Sequence, residues 1–279
     1  MPIHDQGYRR YAGERAPRGR AWSVIARAGV RASIRRRAFV GLLIVAWLPF
    51  FVRAVQIYAS SNLPQAEFLA PDVQMFRQFL EQQDVFIFFV TVYAGAGLIA
   101  NDRRANALQV YLSKPLTRAE YIFGKFAVLA TFLLLVGWAP AILLLLVQIV
   151  LSGSVAFFVD NLVLLPAITV FSFIQVVTIG AVMLGLSSLS NSSRFVGILF
   201  AALTFFTQAV YGVLWAVTRD SALSWVSLSY TLAHIGDAVF QLPLRYRTPI
   251  PVSGMVIVGA IAASAWILER RIRGVEVVA

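Results

Sequence analysis

Residues 162–189 read LVLLPAITVFSFIQVVTIGAVMLGLSSL, and this stretch decides the fold class. It contains no Asp, Glu, Lys or Arg. At a rise of about 1.5 Å per residue, a helix of this length exceeds the roughly 30 Å hydrocarbon core of a bilayer. Five further stretches share its character, at residues 39–58, 85–100, 126–151, 195–217 and 252–268. Arg53 is the one charge among them, near enough to an end for its head group to reach the interface. The stretches at 85–100 and 252–268 are the shortest, and their boundaries are the least defined. A single short apolar run could be a buried helix of a soluble protein, but six in one chain cannot. The expected fold is an all-α membrane protein with six transmembrane helices, because a helix in lipid satisfies its own backbone hydrogen bonds.

The composition of the whole chain agrees. Its 279 residues are 59% hydrophobic and 13% charged, with a mean hydropathy of +0.76. Soluble domains carry about 25% charged residues, so too little polar surface remains for a water-soluble enzyme. The absence of cysteine removes disulfides, thiolate chemistry and cysteine metal sites together. A net charge of +11 would suggest nucleic acid if it lay on a soluble surface. Its distribution says otherwise. Nineteen of the 24 cations fall in residues 1–37, in the 101–125 loop, at Arg194, and at Arg270, Arg271 and Arg273. Arg53, Arg77, Arg219, Arg245 and Arg247 fall on the other side. The positive-inside rule then puts both termini in the cytoplasm. With the acids included, the inner side carries +13 and the outer side −2. The excess charge is a topological label, and no nucleic-acid partner is expected.

The chain divides into a cytoplasmic arginine-rich tail, residues 1–37, and a six-span transmembrane domain, residues 38–279. The tail is too long and polar for the n-region of a cleaved secretory signal, although its arginine richness is shared with organelle transit peptides. Residues 20–37 suggest an N-terminal interfacial helix in contact with membrane lipids. Trp22, Ile25, Ala26 and Gly29 fall on one side, while Arg27, Arg31 and Arg35 recur on another. Simple topogenic charge is the alternative. On the outer side, residues 72–84 carry Val73, Phe76, Phe79 and Leu80 at helical spacing. Residues 218–251 form a structured outer loop between spans five and six. Its Leu223, Val226, Tyr230, Ala233 and Ile235 suggest a helix at, or dipping into, the outer leaflet, and Pro243, Pro249 and Pro251 end any helix before the last span. These outer segments read either as a gate over a pathway or as interfacial anchors.

Catalysis inside the membrane is not expected. His4 and His234 lie outside the spans and neither belongs to a metal-binding motif. All thirteen acidic residues are assigned to loops or tails, which argues against proton or sodium coupling. No phosphate-binding GxxxxGK[ST] loop occurs: Gly124-Lys125 lacks the first glycine, and Phe126 follows the lysine. The chain therefore cannot hydrolyse ATP, and active transport would need a partner's energy. Polar residues within spans include Gln148, Thr178 and Thr207, with Gln175, Thr204, Gln208 and Tyr211 as candidates for a substrate pathway. Buried amides usually bond to neighbouring helices, so packing is the ordinary reading of any single one of these. Gly180, Gly185, Gly254 and Gly259 are expected at close helix crossings. A lining without charge points to an amphipathic, lipid-like or neutral cargo.

The 101–125 loop carries the most local information. Asn101 or Asp102 can cap a short helix over residues 105–112, with Leu108, Tyr111 and Leu112 together on one face. Pro115 ends it, and Thr117 with Glu120 predicts a capping box at the start of span three. Such a knob suits a groove on another protein; a basic interfacial loop without a partner is the alternative.

The same loop resembles the signature of type-2 ATP-binding cassette (ABC) exporter permeases, particularly the single-domain bacterial kind. The matching residues are Asp102, Arg103, Leu108, Leu112, Ser113, Pro115, Leu116, Thr117, Arg118, Glu120, Tyr121, Gly124 and Lys125. Asn106-Ala107 departs from the usual Gly-Thr. The resemblance implies the permease subunit of an ABC exporter in the cytoplasmic membrane of a bacterium. Two copies, as a homodimer, would work with two ABC ATPase (nucleotide-binding) subunits. ATP and Mg would sit on those subunits, with no cofactor on this chain. It also implies that the loop is a cytoplasmic coupling helix, with Asp102, Arg103, Arg104, Leu108, Tyr111, Pro115, Arg118 and Glu120 coupling to the ATPase. Arg118 and Lys125 are alternatively placed against lipid phosphates. Span five would line the dimer axis, which makes Gln208 and Tyr211 the stronger pathway candidates. A competing reading is a mechanotransmitting scaffold, driven by an ABC ATPase, whose outer loops act on a periplasmic partner. A passive or ion-coupled carrier is a third.

Overall fold

The computed structural model describes residues 21–63, 65, 68, 70–107, 117–152, 157, 159 and 161–272. Among them there is no strand. Six helices are long and apolar enough to cross a membrane: Arg37–Asn62, Val73–Arg104, Arg118–Leu151, Leu164–Leu189, Ser193–Thr218 and Ile250–Arg271. The expected six spans are present, numbered one to six in that order.

Helix α1 (Ala21–Ile34) precedes them. Span one comprises α2 (Arg37–Ala46) and α3 (Leu48–Asn62), which meet at Trp47. The break follows from Pro49, which lacks an N–H and whose ring clashes with the carbonyl four residues back. Span three breaks in the same way. Its α6 (Arg118–Val136) and α7 (Trp138–Ser152) are separated by Gly137, just ahead of Pro140.

Span two corrects the sequence reading. It runs from α4 (Val73–Val90) through a π-helical turn (Thr91–Gly95) into α5 (Gly97–Arg104). Asp72 caps α4 by accepting the Met75 N–H at 2.7 Å. Residues 72–84, expected as part of an outer loop, are therefore the first half of a span. No glycine or proline lies between Asp72 and Tyr93 to stop the helix. The π turn then shifts the hydrogen-bond ladder, and Ser187 from span four compensates. Its hydroxyl accepts the Ile99 and Ala100 N–H groups, each at 3.1 Å, and donates to the Ala96 carbonyl at 2.9 Å. Polar side chains inserted at such a slip are a common means of stabilising it.

Span four, α8 (Leu164–Leu189), is the most buried span and packs against spans two, three, five and six. Gly180 and Gly185 permit two of these crossings. A Cβ on Gly180 would stand 2.6 Å from the Phe126 ring, and one on Gly185 would stand 3.1 Å from Ser264 Cβ. Gly254 and Gly259 do not serve as expected within the described residues, where no atom from beyond their own helix turns lies within 4 Å of where a Cβ would stand. Span five is α9 (Ser193–Thr218), span six is α11 (Ile250–Arg271), and these two with span one are the least buried. Between spans five and six lie a 3₁₀ turn (Ser221–Val226) and α10 (Leu228–Val239). Residues 231–237 of α10 are all buried, packed among α4, α8, α9 and α11. The helix expected at, or dipping into, the outer leaflet is present and packs within the bundle.

At the end of the bundle that carries Arg103, Arg104, Arg118, Arg194, Arg270 and Arg271, Ile99, Tyr121, Leu184, Leu268 and Ile272 form a core joining spans two, three, four and six. Here α1 packs along the beginning of α6. Trp22, assigned to lipid from the sequence, meets Phe123 edge-on with ring centroids 5.1 Å apart. Arg27, Arg31 and Arg35 are exposed on the opposite face. The approach depends on Gly124, where a Cβ would lie 2.9 Å from both Ile25 Cβ and the Trp22 carbonyl oxygen. Gly124→Val should therefore displace α1, at a cost of about 1–3 kcal/mol for overpacking. Faster tryptic cleavage after Arg27 and Arg31 in the folded protein would register the displacement; an unchanged rate would show that α1 docks by other contacts.

Candidate functional site

A cavity of about 400 Å³ lies between spans two, four and five and α10. Three residues singled out from the sequence line it together: Gln175 of α8, and Thr204 and Gln208 of α9. Gln208 Nε2 donates to Ser229 Oγ of α10 at 2.9 Å, while the Thr204 hydroxyl turns back to the Phe200 carbonyl, also at 2.9 Å. Tyr211, the fourth candidate, does not line the cavity. It lies about one helical turn further on, in a ring cluster with Tyr230 at 4.9 Å and Tyr246 at 5.9 Å.

The remaining polar wall was not foreseen. Asp84 of α4 lines the cavity and accepts a hydrogen bond from Gln175 Nε2 at 2.6 Å. The assignment of every acidic residue to loops or tails is therefore wrong for Glu81 and Asp84. Both belong to the continuous helix of span two. The other walls are apolar, with Phe88, Phe89, Phe171, Phe200 and Phe205 prominent.

Beside the cavity, at the end of the bundle where α4 begins, two guanidiniums and two carboxylates join α4, α10 and the connection to α11. Arg77, 1% exposed, lies 3.2 Å from Asp237 by its Nε and donates from Nη2 to the Ala233 carbonyl at 3.0 Å. Its guanidinium also stands 4.8 Å from the Phe171 ring centre. Gly236 makes room for it, since a Cβ there would lie 2.6 Å from Arg77 Nε. Arg245 completes the set. It binds Asp237 through two bonds of 2.6 and 3.0 Å and Glu81 through two of 2.7 and 3.1 Å. The hydrogen bonds to Glu81, and then those to Asp237, hold the Arg245 guanidinium above even its usual high pKa. Two positive and two negative charges close on themselves. Nearby, His234 Nε2 lies 2.9 Å from the Thr248 carbonyl, and burial pushes the Tyr246 phenol up to about 12.

The basic end is organised around Asp102. Its Oδ2 accepts the Tyr121 hydroxyl at 2.7 Å and pairs with Lys125 Nζ at 2.6 Å. Lys125, alternatively assigned to lipid phosphate, thus points into the protein. Arg103 donates to the Ser188 carbonyl, tying span two to span four. Arg104 is exposed, as is Arg118. Asn101 and Asp102 do not cap a new helix but belong to the last turn of α5. Asn106 follows with φ of 53°, the left-handed conformation in which helices end. Asparagine is the non-glycine residue best suited to that position, which accounts for it at a site where the resembled signature has glycine. The Thr117–Glu120 capping box is present, with Glu120 N–H donating to Thr117 Oγ1 at 3.2 Å and Thr117 N–H to Glu120 Oε2 at 3.0 Å. Leu108, Tyr111 and Pro115 lie outside the described residues.

A family model described as "ABC-2 family transporter protein" matches residues 23–231, three quarters of the chain. The chain belongs to this family. It is accordingly the transmembrane permease component of an ABC transporter, not the ATPase, and its family implies pairing with an ABC ATPase subunit. No curated protein matches it.

Sequence reasoning missed the permease's ion network and Asp84 because it began span two at residue 85. The available signal was uninterrupted helical spacing from Val73 through Phe76, Leu80 and Gln83 to Ile87. The network gives two expectations. Asp237→Ala strands a buried guanidinium, at a cost of about 3–5 kcal/mol. Arg245→Gln removes a partner a third exposed, and its effect should be about 1 kcal/mol or less once solvent screening is counted. Thermal unfolding of the purified permease would rank the two, and an equal or reversed ranking would refute the pairing scheme. Tyr246, with its folded pKa above that of a free phenol, favours the neutral form. Its contribution is whole below about pH 10 and is lost as pH rises toward 12. Absorbance titration should show a late tyrosine step that Tyr246→Phe abolishes.

Proposed function

We propose that the chain is the membrane subunit of an exporter in the cytoplasmic membrane of a bacterium, with its basic end toward the cytoplasm and the cavity on the substrate pathway. Two copies, each with an ATPase subunit carrying ATP and Mg, form the working assembly. The observation that carries this reading is the division of labour along span two. Its basic end is clamped by Asp102 and Arg103 to spans three and four, while Arg104 is left exposed. Further along, the same span contributes Asp84, Phe88 and Phe89 to the cavity. A helix fixed by such clamps moves with its neighbours, so a push delivered at Arg104 and the adjoining 105–117 segment is carried to the cavity wall. The cations Arg27, Arg31, Arg35 and Arg118 are exposed where they can meet anionic lipid head groups or an acidic face of the ATPase. The weakly buried spans one and five offer the surface for the second copy.

Purification of the full chain from its native membrane tests the proposal. An ABC ATPase should co-purify, and its ATP hydrolysis in liposomes should depend on the permease. Arg104→Glu and Tyr111→Ala should keep the permease folded and in the membrane. Each should lower permease-dependent hydrolysis at least fivefold while the ATPase's own rate persists. Absence of any co-purifying ATPase would overturn the proposed assembly, and unaltered hydrolysis in both variants would remove the coupling role.

A further inference from the structure

Among the described residues, Asp84 is the one carboxylate of its neighbourhood that the ion network leaves over. Arg77 and Arg245 are both engaged by Asp237, and Arg245 also by Glu81. Among the described residues no cation lies within ion-pair distance of Asp84, whose hydrogen-bond partner is the neutral amide of Gln175. The carboxylate lines a cavity whose other walls include the rings of Phe88, Phe89, Phe171, Phe200 and Phe205. Aromatic faces attract cations and repel anions, and a carboxylate away from bulk water favours a cation more strongly still. A cavity of about 400 Å³ is of the size that takes a small organic molecule.

We infer that this cavity binds amphipathic organic cations, with the positive group beside Asp84 and the apolar body among the phenylalanines. The charge-free lining expected from sequence favoured neutral or lipid-like cargo, and Asp84 changes that preference. Gln175 orients the carboxylate from one side, and Gln208, held by Ser229, offers a second polar contact across the cavity. The inference deepens the proposed export function and rests on it only for the claim that the ligand is cargo; binding itself stands on the cavity alone.

Tetraphenylphosphonium and tetraphenylborate test it, being nearly equal in shape and opposite in charge. Binding of each to the purified full chain in detergent is measured by equilibrium dialysis, without ATPase present. The wild type should bind tetraphenylphosphonium saturably and at least tenfold more tightly than tetraphenylborate. Asp84→Asn, which keeps a hydrogen bond available to Gln175, should abolish that preference, and Asp84→Glu should restore it. If Asp84→Asn fails to accumulate, Thr204→Phe, which fills the cavity from span five, should remove saturable tetraphenylphosphonium binding. Equal affinity for the two ions in the wild type, or unchanged tetraphenylphosphonium affinity in Asp84→Asn or Thr204→Phe, would overturn the inference. Because the assay omits the ATPase, selective binding with no co-purifying ATPase would leave the site standing and refute the exporter. Co-purification without selective binding would do the reverse.

Discussion

A polar group inside hydrocarbon has no water to fall back on, and must find its partner within the chain. The six-span bundle is organised by this requirement as much as by apolar packing. Where the backbone is regular, the helices meet it themselves. At the π turn of span two, where the backbone departs from regularity, a side chain intervenes. The π turn at Thr91–Gly95 alters the ladder of span two, and Ser187 accepts two N–H groups and supplies one donor at that place. Thr91 and Thr178 satisfy their own hydroxyls against the carbonyl one turn back. Such bonds are modest individually, but each avoids the much larger cost of an orphaned group.

The same requirement explains why the two ends of the bundle are built differently. At the basic end the polar contacts are short clamps between spans that already touch: Asp102 with Tyr121 and Lys125, and Arg103 with the Ser188 carbonyl. They bind span two to spans three and four while leaving Arg104 exposed. At the opposite end the contacts reach further along the chain. Arg77 and Glu81 of α4 are joined through Asp237 and Arg245 to a segment that follows span five. This network holds α10 inside the bundle, and α10 contributes Ser229, Leu232 and Ala233 to the cavity. The cavity therefore owes one wall to an ion network that lies beside it. Span two is common to the clamp, the cavity and the network.

Most of this fold was legible in the sequence, and the reasons differ by element. The six spans declared themselves because six apolar runs of helical length, with Arg53 their one charge, are stable in one chain only in lipid. The Thr117–Glu120 capping box was readable because capping depends on residues three positions apart in one chain. The beginning of span two was misread because its first half mixes Arg77, Glu81 and Asp84 with apolar residues, and hydropathy cannot distinguish a solvated charge from a paired one. Pairing is a long-range property: Arg77 and Asp237 are 160 residues apart, and nothing local in either announces the other. Gln175, Thr204 and Gln208 could be picked as polar residues in apolar spans, but their common cavity arises only when spans four and five meet α4 and α10. Tyr211 met the same criterion and falls outside the cavity, since residue type and span do not fix the face of a helix.

The charges near the cavity set stability against use. Two guanidiniums and two carboxylates already form a closed, neutral set around Asp237 and Arg245. Stability alone would favour an uncharged residue at position 84, because a third carboxylate beside an apolar cavity loses hydration and regains only an amide contact from Gln175 and a longer-range attraction to Arg77 and Arg245. A fold that supplies Arg77 with a carboxylate, a carbonyl and an aromatic face has the means to neutralise a charge, yet among the described residues it brings no cation within ion-pair distance of Asp84. A carboxylate kept at that cost is one half of a pair whose other half arrives from outside the chain.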